Sequence, residues 1–339
     1  MKAVRFHEHG GPGVLRYEEA PDPRPGPGRA LVRIRACALN HLDLWERQGI
    51  DRVQIPLPHI SGSDIAGEVV DAAGGPLPAG TRVLLQPGLR CGECAACRDG
   101  RDNECVSYDV LGLLSDGGYA ELIAVPVENL LPIPDHVDFV TAAAFPLTFL
   151  TAWHMLVTRA RIHDGDVVLV LAGGSGVGQA AIQVARHFGA RVFATSGPDK
   201  VDRTRALGAE AVFDHYSGDF ARETRALTSG RGADIVVEHV GEATWARSVR
   251  ALASGGRLVT CGATSGPDAH VDLRHLFARQ LSLLGSYMGT FAELRAAAPL
   301  LFEGRLRPVV DTVVPLRDAA DAQRRLEARR QFGKIVLEC

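Results

Sequence analysis

The chain has 339 residues, of which 46% are hydrophobic and 23% charged, and its formal net charge is −3. This length predicts two domains, and this composition excludes a disordered chain. No apolar run approaches the ~18 residues of a transmembrane helix, and Met1–Phe6 lacks the apolar core of a signal peptide, so we expect neither a membrane nor a secreted protein. The balanced charge argues against nucleic acid or an anionic membrane as the main partner.

The first 150 residues are rich in Gly and Pro and contain short runs with the alternating pattern of β-strands. Turn signals, such as Gly10–Gly13 and Pro25–Gly28, separate these runs. The predicted strands include Ala30–Arg35, Gly67–Val70, Arg82–Leu85 and Ala120–Val125. This part of the sequence therefore predicts a compact, mainly antiparallel β domain.

Four of the seven cysteines lie in one short segment with the spacing C-x2-C-x2-C-x7-C. They are Cys91, Cys94, Cys97 and Cys105. A secreted disulfide protein would spread its cysteines more evenly, so the cluster indicates metal binding in a reducing cytosol. Four thiolates can surround one tetrahedral Zn²⁺ and leave no position open for substrate, which predicts a structural zinc. An iron–sulfur cluster is the chemical alternative, because it also uses four cysteines.

From residue 151 onward, apolar strands alternate with helices. The predicted strands are Asp166–Leu171, Arg191–Thr195, Ala211–Phe213, Ile235–Val240, Arg257–Cys261 and Leu281–Gly285. The clearest helices between them are Val177–Phe188 and Lys200–Leu207. Six such strands predict a doubly wound parallel sheet of the Rossmann type, which makes the chain an α/β protein.

The first of these strands runs into a glycine-rich turn and then a helix, which is the pattern of a dinucleotide fingerprint. The turn residues are Gly173, Gly174, Ser175, Gly176, Val177 and Gly178. Glycines let the backbone approach a pyrophosphate, and the helix N-terminus offers free N–H groups. Ser175 departs from the usual middle glycine. Gly262 and Ala263 follow a later strand at its carboxyl end, where the nicotinamide ring would lie.

The second strand of this sheet ends at Ser196, where an NAD-specific site usually carries Asp or Glu. Lys200 and Arg203 follow on the next predicted helix. A hydroxyl with nearby cations suits a ribose 2′-phosphate, so the sequence favours NADP(H), with NAD(H) as the alternative. The two cations could equally be ordinary solvated surface charges.

The C-terminal part contains one predicted helix, Phe291–Glu303, and then returns to β character at Val309–Val314 and Lys334–Leu337. We therefore expect the tail to rejoin the first domain. The predicted boundaries are 1–148 for the β domain with its cysteine lobe, 149–286 for the dinucleotide-binding domain, and 287–339 for the returning segment.

These features together resemble the medium-chain dehydrogenase/reductase family, which includes zinc alcohol dehydrogenases and quinone oxidoreductases. The resemblance covers essentially the whole chain. It implies a GroES-like β domain beside the Rossmann domain, and a homodimer or homotetramer joined through an edge strand, here Leu281–Tyr287. It also includes the closing run Gly333–Val336, whose Lys334 we assign to the cofactor-binding residues.

The resemblance also allows the family's catalytic zinc to be checked position by position. The usual cysteine, histidine and third ligand positions hold Asn40, Ser63 and Leu147, and the proton-relay hydroxyl is replaced by Leu42. These residues do not make a zinc site. The run Asn40–Asp43 instead resembles the quinone oxidoreductase branch, which has no catalytic zinc, although that branch usually lacks the cysteine lobe.

The resulting hypothesis is a cytoplasmic enzyme that reduces quinones or carbonyls conjugated to an alkene. Asn40 is the first candidate for stabilising the developing oxyanion, His41 and Trp45 are its neighbours, and Asp43 orients the site. Two alternatives stay open. One is an alcohol dehydrogenase with an unconventional zinc, whose candidate ligands are Cys37, His41, Asp43, His59 and Asp64. The other is a non-catalytic NADPH-binding protein.

Overall fold

The computed structural model describes residues 1–72 and 74–339, which form two compact units. Unit 1 comprises Met1–Leu147 and Thr290–Cys339, and unit 2 comprises Thr148–Gly289. These limits lie one and three residues from the boundaries drawn from the sequence at 148 and 286.

The strands of both units are numbered in chain order. They are β1 Lys2–Arg5, β2 Arg16–Glu19, β3 Arg29–Ala38, β4 Asp64–Asp71, β5 Arg82–Leu85, β6 Gly88–Leu89, β7 Asp109–Val110, β8 Leu122–Pro126, β9 Leu130–Pro132, β10 Val167–Val170, β11 Arg191–Ser196, β12 Ala211–Asp214, β13 Ala233–Glu238, β14 Leu252–Thr260, β15 Ser282–Gly285, β16 Val310–Pro315 and β17 Lys334–Glu338.

The helices are numbered in the same way. They are α1 His41–Gln48, α2 Ala95–Arg98, α3 Phe139–Ala143, α4 Pro146–Trp153, α5 Gly176–His187, α6 Val201–Ala206, α7 Phe220–Leu227, α8 Glu242–Ala251, α9 Leu273–Ala278, α10 Phe291–Phe302 and α11 Ala319–Glu327. A π-helical turn, His154–Arg159, continues α4. Among these helices of the described residues, the longest have 12 residues, and none could span a membrane.

Unit 1 is built on a sheet with the strand order β16-β17-β3-β4-β5-β9. All pairings are antiparallel except β16 with β17, which agrees with the predicted β domain. The long strand β3 pairs with β4 along one side. Its other side is shared by β8 and by β17, so the C-terminal tail returns to this sheet.

Unit 2 contains a six-stranded, all-parallel sheet with the order β12-β11-β10-β13-β14-β15. This order is that of a Rossmann fold, whose topological switch point lies between β10 and β13. The central strands are wholly buried, with Val168, Leu169, Val236 and Val237 each 0% exposed, because helices cover both faces. The switch point sets where a dinucleotide binds, at the carboxyl ends of these strands.

Candidate active site and metal centre

The N-terminus of α1 is held by a buried carboxylate. The backbone N–H of Asn40 donates to Asp43 Oδ2 over 2.9 Å, and the Tyr119 hydroxyl donates to the same oxygen over 2.7 Å. Burial raises the pKa of Asp43 to about 6, against the opposing effect of these two donors. Asp43 therefore fixes the start of the helix on which the other candidate residues lie.

The side chain of Asn40 belongs to a buried polar cluster that β17 completes. Lys334 Nζ donates to Asn40 Oδ1 over 2.6 Å and to Asp64 Oδ2 over 2.8 Å. Asn40 Nδ2 donates to Asp64 Oδ2 over 2.9 Å, and the Leu147 N–H donates to Asp64 Oδ1 over 2.7 Å. The Lys334 and Asp64 side chains are only 2% and 0% exposed, so this is an ion pair removed from water. We call Asn40, Asp64 and Lys334 the buried triad.

The triad contains two residues that were assigned to the site from the sequence. Lys334 was assigned to the cofactor, but its ammonium group is buried and bonded to Asn40 and Asp64 within unit 1. Asn40 was the first candidate to donate to a substrate oxygen. Its amide nitrogen donates to Asp64 over 2.9 Å and, weakly, to the Ala38 carbonyl at 3.5 Å, so a substrate oxygen would compete with these two acceptors.

His41 and Trp45 lie on the half-buried face of α1, one turn apart. Their rings meet edge to face, with centroids 4.9 Å apart and an interplanar angle of 81°. Leu42, which takes the place of the relay hydroxyl, is half-buried as well. The two rings therefore pack against each other on the partly exposed side of α1.

The three positions matched to catalytic-zinc ligands come together around Asp64. Asn40 and the Leu147 backbone bond to its two oxygens, and Ser63, fully buried, precedes it in the chain. An amide, a hydroxyl and an aliphatic side chain do not make a tetrahedral Zn²⁺ site. The residues therefore do not fit a catalytic zinc at the usual positions.

The structure also tests the alternative ligands. His59 Nε2 contacts the Gly112 carbonyl over 2.6 Å, and burial lowers the pKa of this histidine. Burial raises the pKa of the Cys37 thiol well above its ordinary value. In the described part of the chain, the four lobe cysteines form the one group of three or more His, Cys, Asp or Glu close enough to share an ion.

Sequence reasoning missed a second buried acid on α1. Glu46 is 0% exposed, and neither of its carboxylate oxygens has a hydrogen-bond partner among the described residues. Burial, and then the nearby charge of Asp43, raise its pKa well above the ordinary value. A glutamate three residues after Asp43, on the face that packs inward, is the signal that could have found it.

The four lobe cysteines converge as predicted. Their sulfur atoms all lie within 4.8 Å of one another, around α2 and the turn that follows it. A tetrahedron with Zn–S bonds of about 2.3 Å has edges of about 3.8 Å, so the group fits one Zn²⁺. The backbone N–H groups of Cys97 and Val106 lower the pKa of the Cys94 thiol to about 6, whereas burial and the hydrogen bond with Cys94 raise the pKa of the Cys97 thiol to about 12.

The glycine-rich turn lies between β10 and α5. Ser175 is the N-cap of α5, and its Oγ accepts the Gly178 N–H over 2.9 Å. A Cβ on Gly178 would lie 2.2 Å from the Ala172 carbonyl oxygen, so only glycine lets the helix approach the strand this closely. The serine that replaces the middle glycine thus caps the helix beside a backbone cradle that fits a pyrophosphate.

The end of β11 carries no carboxylate. Ser196 is buried, and its hydroxyl donates to the Gly197 carbonyl over 3.1 Å. Lys200 lies at the end of a short 3₁₀ turn and Arg203 on α6, both directly after this strand. The three residues predicted to bind a 2′-phosphate therefore lie at the carboxyl end of β11 or directly after it.

Sequence reasoning overlooked His239, which follows β13 across the switch point from the glycine-rich turn. Its Nε2 lies 2.9 Å from the Leu171 carbonyl and 3.5 Å from Ser175 Oγ, and burial lowers its pKa. A Cβ on Gly262 would lie 3.3 Å from the His239 carbonyl. The position of His239, one residue past a strand adjacent to β10, is the signal that could have found it.

Comparison with known proteins identifies the class. Residues 26–135 match the alcohol dehydrogenase GroES-like domain, and residues 176–303 match the zinc-binding dehydrogenase family. The fold and these matches define an oxidoreductase with a GroES-like domain and a nucleotide-binding domain. More particularly, the chain belongs to the medium-chain dehydrogenase/reductase family.

Individual relatives bear several names. The chain is 33% identical to a quinone oxidoreductase of Pseudomonas aeruginosa, with 99% of each sequence covered. It is 30% identical to a crotonyl-CoA reductase of Streptomyces collinus, covering 96% of this chain and 81% of that protein. A solved structure described as an NAD-dependent alcohol dehydrogenase superposes with a TM-score of 0.97, is 46% identical and is covered over 100% of both chains.

Proposed function

We propose that the protein is an NADP(H)-preferring oxidoreductase that reduces quinones or conjugated carbonyls without a catalytic metal. The observation that carries this proposal is the buried triad. The positions matched to catalytic-zinc ligands surround Asp64, and the nearest cation is the Lys334 ammonium group. Without a Lewis acid, hydride transfer favours acceptors that delocalise the incoming charge, because a bare alkoxide would be poorly stabilised.

The cofactor supplies the hydride when it is bound. The turn from Gly173 to Gly178 would hold its pyrophosphate, and Ser196 with Lys200 and Arg203 would hold a 2′-phosphate. The hydride adds to the acceptor, and the charge that develops on the acceptor oxygen needs a hydrogen-bond donor. Solvent protonates the resulting enolate or hydroquinone anion.

We assign that donor role to His41 and Trp45, and we assign Asn40 a positioning role. The amide of Asn40 joins the start of α1 to Asp64 and Lys334, so it fixes the helix on which both rings lie. Asp43 supports the same helix end through the Asn40 backbone. We divide the roles in this way because the side-chain nitrogen of Asn40 already donates to Asp64 and to the Ala38 carbonyl.

The test is NADPH oxidation with a panel of quinones and enals. Removing one oxyanion donor typically costs about 100-fold in kcat. We expect that loss for His41→Ala and partial recovery for His41→Gln, which keeps a side-chain N–H; Trp45→Phe, which keeps the ring packing, tests the indole N–H alone. Unchanged turnover in both His41→Ala and Trp45→Phe would refute the donor assignment. NADPH binding with no turnover on the panel would favour a non-catalytic protein.

A second candidate is an alcohol dehydrogenase, which the name of the 46% identical structure favours. Such an enzyme would oxidise simple alcohols and lose that activity to chelators. Its catalytic ion would need ligands other than Asn40, Ser63 and Leu147. Alcohol oxidation that is lost on chelation, with the fold intact, would replace the first candidate with this one.

We further propose a homodimer or homotetramer in a reducing, cytoplasmic setting, because a four-thiolate site needs reduced cysteines. The candidate interface is the edge strand β15, which pairs only with β14 among the described strands. Beside it in the chain, Leu273 and Phe277 on α9 are 68% and 70% exposed. Light scattering should show an assembly that Phe277→Glu dissociates; a monomeric wild type would contradict this.

A further inference from the structure

A cavity of about 700 Å³ lies in unit 2, away from the nucleotide turn. It is lined by Arg225, Gly230, Arg231, Ala253, Ser254 and Arg279. These residues come from the end of α7 and from the segments that enter β13, β14 and β15. They therefore belong to the amino ends of the parallel strands, whereas the Gly173–Gly178 turn follows the carboxyl end of β10.

Two arginine side chains at the cavity lie close together and are held by carbonyl oxygens. Arg225 Nη2 and Arg279 Nη2 both donate to the Leu252 carbonyl, over 3.1 and 2.7 Å. The two nitrogen atoms therefore lie within about 6 Å of each other, where like charges repel. In the part of the chain that the structure describes, neither guanidinium forms an ion pair with a carboxylate. Burial, and then the charge of Arg225, lower the pKa of Arg279.

The other lining groups add donors. Arg231 is half-exposed, and its Nη1 pairs with Asp234 Oδ1 over 2.5 Å. Among the described residues, Asp234 is the one acid that forms an ion pair with any of the three arginines. Ser254 is an exposed hydroxyl at the same opening.

Arg225 also donates to the Arg250 carbonyl through Nε and Nη2, over 3.1 and 3.0 Å, and to the Gly230 carbonyl through Nη1 over 3.0 Å. Those carbonyls do not neutralise two guanidinium groups. Arg279 Nη1 lies 3.4 Å from His275 Nε2, so Arg279 keeps more free donors than Arg225.

We propose that this cavity binds the phosphate group of a small phosphorylated molecule, at a site separate from the nucleotide turn. Guanidinium groups bind phosphate oxygens through paired, charge-assisted hydrogen bonds. The volume is within the range of small-molecule pockets and exceeds what one phosphate fills, so there is room for the group that carries it.

The test is calorimetric titration of the full chain with pyrophosphate and with inorganic phosphate. Removing one charged donor costs about tenfold or more in affinity. We expect Arg279→Gln to weaken one pyrophosphate site by that factor, and Ser254→Asp to do the same by repulsion. Arg222→Gln, on the exposed face of α7, removes equal charge and should leave the site unchanged. Arg203→Gln should affect only a site at the nucleotide turn.

Far-ultraviolet circular dichroism and thermal unfolding confirm that each variant folds; Ser254→Asp decides the test if Arg279→Gln does not fold. Pyrophosphate binding that is absent, or that falls only in Arg203→Gln, would overturn the proposal. An equal loss of pyrophosphate affinity in Arg279→Gln and Arg222→Gln would show that only the net charge of the protein matters, and would also overturn the proposal. So would a change of oligomeric state in Arg279→Gln without a change in phosphate binding.

Discussion

The buried triad makes a quantitative prediction for Lys334→Met. The substitution leaves Asp64 as a buried carboxylate, 0% exposed, without its cationic partner. Loss of one partner of such a pair costs about 3–5 kcal/mol. Asp64 keeps its donors from Asn40 and from the Leu147 backbone, so we expect a value near the lower end, about 3 kcal/mol. For a unit of about 200 residues this corresponds to a fall in Tm of about 6–12 °C.

The assay is thermal and urea unfolding of the full chain, with two comparisons. Lys2→Met removes an exposed lysine, whose pair with Glu19 is solvated, and should leave the free energy of unfolding nearly unchanged. Lys334→Met combined with Asp64→Asn removes both charges and should recover about half of the loss. A loss below about 1 kcal/mol for Lys334→Met, or a double variant no more stable than the single one, would refute the argument.

Three further predictions concern pH, cofactor and packing. Burial raises the pKa of Asp43 to about 6, above its value in the unfolded chain, so the folded state gains stability as the pH falls from about 6 to about 4. Asp43→Asn should remove about 2 kcal/mol of that gain. Urea unfolding across this pH range measures it. Ser196→Asp should repel the 2′-phosphate and lower NADPH affinity at least about tenfold while NADH affinity is kept, measured by fluorescence titration. Gly178→Ala places a Cβ 2.2 Å from a carbonyl oxygen and should abolish cofactor binding or lower Tm, whereas Gly13→Ala, with nothing within 4 Å, should not. Equal behaviour of the two alanine variants, an NADPH affinity unchanged in Ser196→Asp, or a pH dependence of stability unchanged in Asp43→Asn would each contradict the corresponding reasoning.

Local features of the sequence predicted much of the fold. Strand β5 begins and ends at the predicted residues, and both ends of α5 lie one residue from the predicted ones. These predictions succeeded because an apolar run and a helical repeat depend only on residues that are close in sequence. Strand β14 begins at Leu252, five residues before the predicted start, because Ser254–Gly256 interrupts the apolar run. The four-cysteine cluster was predictable for the same reason, since its ligands are close in sequence.

The candidate active site was predicted only in part. Asn40 was identified from its position, but its orientation depends on Lys334, which lies 294 residues further along the chain. A pattern of neighbouring residues does not predict the contact between Asn40 and Lys334. The contact forms only when β17 pairs with β3 in the folded sheet. For Glu46, the residue type itself is misleading. Its charge suggests a solvated residue, and only the packing of α1 reveals that it is buried.

The most direct test of the central claim is the zinc content per chain, measured by inductively coupled plasma mass spectrometry on protein purified without added metal or chelator. We expect one zinc per chain, which Cys94→Ser removes and which the Asn40→Ala variant keeps. Two zinc ions per chain, one of them lost together with activity in Asn40→Ala or His41→Ala, would contradict a reaction without a catalytic metal.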